Sequence, residues 1–346
     1  MNILCLDIGS GTQDVLFSLE GESRQNWPKF VLPSPARRVE ARIQRLASAG
    51  TPIYLYGGNM GGGLKGALRD HIQNGGLAAA HPEAATALAD SEEKVREMGV
   101  DIRKRRPEGY APVKLSDYEP GFWEGFLSHL ELPFPDLVLA AVQDHGYHPA
   151  GSNRLGRFSI WQRLLRESQG RPQSLLFQDP PQELTRLRTL QECIGQGLVA
   201  DTGAAAALGA LYVPEVESVA RDRGVCVVNA GNSHTIAFLI YRDAVWGVYE
   251  HHTGLLSPED LWRDISLFCQ GRLENEEVFE ASGHGCFCFD PLPGGAAFEA
   301  VYVLGPNRGM LSGYPVSFPA PGGDMMLAGC FGLLHGMRLL QDGDAQ

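Results

Sequence analysis

Two patterns of apolar and polar positions share the chain: short continuous apolar runs that end on a polar residue, and longer stretches with helical spacing. NILCLDIG is of the first kind and predicts a strand. It ends on Asp7, turns through Gly9-Ser10-Gly11, and returns at once as the apolar run DVLFSLE. KFVLP predicts a third strand, and helical spacing predicts a helix from Ala36 to Leu46. TPIYLYGG predicts a buried strand leading through the glycine loop of NMGGGLKGALRDHI into a helix. From about Ala80 to Tyr118 the periodicity lapses into a polar, charged segment with the character of an insertion. PDLVLAAVQDHG predicts another strand with a polar end, followed by helices at RFSIWQRLLRE and PQELTRLRTLQECIGQGL.

The opening pattern then returns. RGVCVVNAGNSHTIAFLIYRD is again an apolar run, a polar residue at its end (Asn229), a glycine turn bearing Ser and Thr, and a second apolar run. AVWGVYEHH predicts a third strand and SPEDLWRDISLFCQGRL a helix whose Ser257 and Asp260 form a capping box. EAVYVLG predicts a later strand, and the small-residue stretch GGDMMLAGCFGLLHGMRLL a final helix. This order predicts an α/β layer fold. At 346 residues two domains are expected: 1–205 with an insertion around 75–130, and 206–346.

Composition narrows the partners. With 44% hydrophobic and 20% charged residues the chain should fold, and a net charge of -12 offers no field for a nucleic acid backbone or an anionic membrane. No apolar run approaches the ~18 residues of a membrane span, and no secretory signal pattern is present, so a cytoplasmic protein is expected. Seven dispersed cysteines fit reduced thiols better than a disulfide framework.

A glycine turn can aim several backbone N–H groups at phosphate oxygens, since no Cβ blocks the approach. Ser10, Thr12, Ser233 and Thr235 add hydroxyls, and Asp7 suits a magnesium ion held through water. Asp14, opening an apolar strand, is expected at a wet edge. Asp144 and His145 end a strand, where Asp144 either acts as a base or merely bonds loop amides. On the strand ending Glu250-His251-His252, alternate side chains share a face. His284, Cys286, Cys288 and Asp290 would fall on one face of an extended segment, a weak pattern for a transition metal beside the commoner core reading. Lys65 follows a glycine run without the P-loop spacing, as a turn or a mobile lid.

Asp7-Ile8-Gly9-Ser10-Gly11-Thr12-Gln13-Asp14 and Ala230-Gly231-Asn232-Ser233-His234-Thr235 resemble the two phosphate motifs of the acetate and sugar kinase, heat-shock chaperone and actin (ASKHA, actin-like ATPase) superfamily. DTGAAAALGALY and GDMMLAGCFGLLHG resemble its paired connecting helices, and VYVLGPNRGML its adenosine motif, with Gly305 kept and Pro306 in place of a second glycine. The resemblance implies a two-lobed, ribonuclease H-like fold, each lobe a mixed five-stranded sheet flanked by helices. It also implies ATP bound by Gly9, Ser10, Gly11, Thr12, Gln13, Gly231, Asn232, Ser233, His234, Thr235 and Gly305. Asp7 and Asp14 would hold magnesium, Asp144 and His145 would be catalytic, and His251, His252 and His284 would face a substrate. The implied function is an ATPase or small-molecule kinase (a phosphotransferase); the alternative is a catalytically weak ATP-binding regulator or activator of a partner enzyme, favoured by Asn229 where active members carry Asp. QDHGYHP and EHHTG resemble a narrower group labelled pyruvate formate-lyase activating proteins, yet the C-x3-C-x2-C run that label requires is absent.

Overall fold

A computed structural model describes residues 1–149 and 151–344. Its strands, in chain order, are β1 (Ile3–Ile8), β2 (Thr12–Ser18), β3 (Lys29–Pro33), β4 (Ile53–Gly57), β5 (Ala78–Ala80), β6 (Val100–Ile102), β7 (Ala111–Leu115) and β8 (Leu137–Val142). There follow β9 (Leu176–Phe177), β10 (Gly197–Asp201), β11 (Val225–Ala230), β12 (His234–Tyr241), β13 (Ala244–His252), β14 (Gly285–Cys288), β15 (Ala300–Leu304) and β16 (Val316–Ser317).

Among the described residues these form three sheets, ordered β3-β2-β1-β8-β10-β9, β14-β13-β12-β11-β15-β16 and β6-β5-β4-β7. The first two share a plan. β1, β2 and β3 run antiparallel to their neighbours while β8 and β10 extend the sheet parallel to β1. In the same way β11, β12 and β13 alternate, and β15 and β16 run parallel to β11. β1 and β11 even share one burial pattern, four buried residues, one half-buried and one buried, with Asp7 and Asn229 in the half-buried place. A core strand can expose a polar residue at that place only where the sheet ends in a cleft. Each sheet has six strands rather than the expected five, because β9 and β14 pair antiparallel along one edge.

The expected insertion is the middle of a larger unit. β4 to β7 form an all-parallel sheet over Ile53–Leu115, covered by the Pro35–Ser48 and Lys65–Gln73 helices around Ile43, Leu55, Leu68 and Val113. Its strands β5 and β6 are three residues long, too short for a period to declare itself. β10 was also hidden: its residues follow a helix that stops at Ile194, where Gly195 and Gly197 take positive φ of 72° and 137°.

Between the two main sheets lie the Thr202–Leu211 helix, buried from Gly203 to Leu211, and the Ala328–Asp344 helix. They approach so closely that a Cβ on Gly209 would overlap the Ala328 carbonyl, and one on Gly332 the Ala205 carbonyl. Backbone atoms cannot step aside as a flexible side chain can. Gly332→Ala is therefore expected to lower stability by about 1–3 kcal/mol, overriding the better helix propensity of alanine, as measured by urea denaturation.

Candidate functional site

The turn between β1 and β2 closes with the Gly9 N–H donating to Thr12 O at 2.9 Å, and that between β11 and β12 with Gly231 N–H to His234 O at 3.0 Å. The two turns meet across a cleft of about 450 Å³, where Ser10 Oγ and Ser233 Oγ lie 2.9 Å apart. Beside them, Gly305 adopts φ +92°, and a Cβ there would press on the Ala230 carbonyl and Asn229 Oδ1. Asn307 Nδ2 donates to Gly231 O at 2.9 Å, so the segment after β15 is fastened to the second turn.

At the base of the first turn Asp7 and Asp14 are direct cross-strand partners. Asp7 accepts a 2.6 Å hydrogen bond from Thr202 Oγ1, and only a glycine at position 329 leaves room for its other oxygen. Asp14 is 8% exposed in the wall of the cleft, and its Oδ1 has no partner among the described residues. Burial, with a smaller contribution from Asp201, pushes the Asp7 carboxyl up to about 6. Burial and the charge of Asp7 push Asp14 to about 8. One half-buried and one buried carboxylate, with no counter-cation among the described residues and one oxygen orphaned, fit a hard divalent cation that keeps part of its water shell.

Asp7, Gly9, Ser10, Thr12, Asp14, Asp144, His145, Gly231, Asn232, Ser233, His234 and Gly305 all line the cleft. Gln13, Gly11 and Thr235 do not: Gln13 is fully buried on the opposite face of β2, Gly11 abuts the Asn232 amide, and Thr235 bonds to Thr253 at 3.0 Å. Each Asp144 oxygen accepts a main-chain N–H, from Gly146 at 2.8 Å and Leu187 at 2.9 Å. His251 lies outside the cleft, its ring nitrogens against the His252 and Ala281 carbonyls. His284 joins His145 and His234 instead of Cys286, which packs into the second sheet opposite Tyr249.

Several cleft residues escaped the sequence pattern. Arg157, on the Asn153–Glu167 helix, is 3% exposed and donates to Asp201 of the first sheet at 2.9 Å, to Glu250 of the second at 2.6 Å, and to the Asp144 carbonyl. Gln143 Nε2 adds a 2.7 Å bond to the other Glu250 oxygen. One signal was present: Arg157 occupies the apolar stripe it shares with Ile160, Trp161 and Leu164. The far wall comes from the third sheet and its neighbours, with Asn59, Gly61, Gly62, Lys65, Asp90 and Arg186. Burial lowers the Lys65 pKa, opposed by Asp90, while Arg186 grips Asp117 through two bonds of 2.7 and 2.9 Å.

Two sheets of one plan, each opening on a glycine hairpin and separated by two close-packed helices, give the chain a two-lobed actin-like fold. The chain belongs to the family described as "Putative pyruvate format-lyase activating enzyme (DUF1786)", whose model matches residues 60–310. No curated protein is significantly similar in sequence. Among solved structures, a Listeria monocytogenes protein titled "a putative N-acetylmannosamine kinase" aligns at 8% identity and TM-score 0.37, covering 98% of this chain and 100% of that one. The ethanolamine utilization protein EutJ of Carboxydothermus hydrogenoformans aligns at 9% and 0.30, covering 96% and 89%. The ROK hexokinase of Thermus thermophilus aligns at 13% and 0.32, covering 99% and 100%. Likeness at this level adds nothing to the topology, on which the fold assignment rests.

The iron–sulfur cluster that the family's description implies does not fit these residues. Cys5 and Cys330 are buried behind the first sheet; Cys226, Cys269, Cys286 and Cys288 gather in the core of the second, but no three sulfurs lie within 4.8 Å of one another among the described residues.

Removing the Arg157 charge leaves Glu250, itself 0% exposed, facing Asp201 without compensation. Arg157→Met is expected to cost about 3–5 kcal/mol of stability in denaturant titration, and adding Glu250→Gln should recover part of it.

Proposed function

We propose that the chain binds ATP with magnesium between its two glycine turns and acts as an ATPase or as a phosphotransferase toward a small polar acceptor. The observation that carries this reading is the Asp7–Asp14 pair beneath one glycine turn, with Asp14 Oδ1 unpartnered among the described residues and an equivalent turn facing it across the cleft. The shared sheet plan supports it.

In this reading the main-chain N–H groups of the two turns and the hydroxyls of Ser10, Thr12 and Ser233 hold phosphate oxygens, and the base lies toward Gly305 and Pro306. Asp7 and Asp14 hold the magnesium, which when bound neutralises phosphate charge. Lys65 and Arg186 face the cleft from the third sheet's side and orient an anionic or hydroxylated acceptor. The lobes divide near residue 205, within the Thr202–Leu211 helix.

A second reading, a nucleotide-binding regulator of a partner enzyme, draws on two observations. Asn229 is neutral where its counterpart Asp7 is a carboxylate, and Asp144 is buried with each oxygen accepting a main-chain N–H. In that case lobe closure on ATP alters a surface that the partner reads.

Calorimetric titration with ATP, with and without magnesium, tests both readings. Magnesium-dependent binding is expected in the wild type, weakened at least tenfold by Asp7→Asn and abolished by Gly231→Trp, whose side chain fills the second turn. No binding at millimolar nucleotide would overturn both. Phosphate release measured on the same protein separates them, since binding without turnover leaves the regulator.

A further inference from the structure

Three histidines from distant parts of the chain meet at the cleft. His145 follows β8 of the first sheet, His234 opens β12, and His284 immediately precedes β14. One ring nitrogen from each lies within 4.8 Å of the other two. The ring centroids stand 5.2 Å apart for His145 and His234, 5.5 Å for His145 and His284, and 4.9 Å for His234 and His284. His145 and His234 also line the cleft, while His284 is 2% exposed behind them.

Their hydrogen bonding is incomplete. Neither ring nitrogen of His234 has a partner among the described residues, nor has Nδ1 of His284. Buried polar nitrogens left unpaired are costly, about 1–3 kcal/mol each, so their retention in one cluster calls for a ligand. The carboxylates nearest the cluster are occupied, since Glu250 and Asp201 are bonded to Arg157. Each imidazole can turn a nitrogen lone pair toward the shared point. A cation satisfies all three at once.

We infer that His145, His234 and His284 form a binding site for a first-row divalent metal of the zinc class, distinct from the carboxylate site at Asp7 and Asp14. Imidazole nitrogen selects such ions over magnesium, which takes oxygen. Tetrahedral zinc places its nitrogens ~3.3 Å from one another with bonds of about 2.0 Å, a modest contraction of the cluster. Three protein ligands leave a fourth position, and since two of the three line the cleft, that position faces it. There the metal takes a water or an oxygen of the cleft ligand. His145 comes from the first sheet's side and the other two from the second's, so the metal also ties the lobes together. His252 packs at 4.7 Å from both His234 and His284, yet its nitrogens lie outside the converging set, which makes it a control.

The test uses the full chain, stripped with chelator and titrated with Zn2+ in the absence of nucleotide, so that its outcome is independent of the nucleotide reading. One equivalent is expected, with a rise in melting temperature on zinc addition. His145→Ala and His284→Ala should each weaken zinc at least about tenfold, while His252→Ala and Asp7→Asn leave it unchanged. X-ray absorption on the zinc-loaded wild type needs no variant to fold. It should show a nitrogen and oxygen shell at about 2.0 Å without sulfur. Absence of zinc binding, a sulfur shell, or affinity unaltered in both histidine variants would overturn the assignment.

Discussion

The guanidinium of Arg157 is buried between Asp201 at the end of β10 and Glu250 near the end of β13, and so carries its charge between the two main sheets. A charge withdrawn from water is tolerated only when it is paired and its remaining donors are satisfied. Here the pairing has components from both lobes, with Gln143 and the Asp144 carbonyl closing the network. Sliding one sheet past the other would break charge-assisted bonds that no water can replace. The relative position of the lobes, and with it the meeting of the two glycine turns at Ser10 and Ser233, follows from this constraint. The close helix pair through Gly209 and Gly332 supplies the second restraint.

The duplication of sheet plan makes the asymmetries informative. β1 and β11 place one polar side chain at the same half-buried position, but one is Asp7 and the other Asn229. Across the ladder Asp7 faces Asp14, whereas Asn229 faces Ile236. Negative charge is therefore concentrated under the first turn, where a cation belongs. Beside the second turn the neighbouring groups are imidazoles, His234 among them. The two glycine turns therefore border chemically different surroundings.

What could be read from the sequence was local. The hairpins announce themselves because an apolar run, a polar residue and glycines are contiguous, and the helix pair because small residues repeat within one segment. Ser257 caps its helix through Asp260 N–H at 3.1 Å for the same reason: both partners lie within one turn. The Arg157 bridge joins residues 44 and 93 positions apart, and the three histidines have no spacing that a motif could record. Asp144 was legible as the polar end of a core strand, whereas its hydrogen bonds from Gly146 and Leu187 appear only in the fold. The third sheet was hidden in short strands, although its glycine loop and Lys65 were visible as a lid candidate.

The central claim, that both turns close on one ligand, is tested most directly by amide hydrogen exchange with and without magnesium and ATP. The account predicts that residues 9–12 and 231–234 gain protection together, along with the segment around Gly305, because their N–H groups face the same phosphates. Protection confined to one turn, or none at saturating nucleotide, would contradict it.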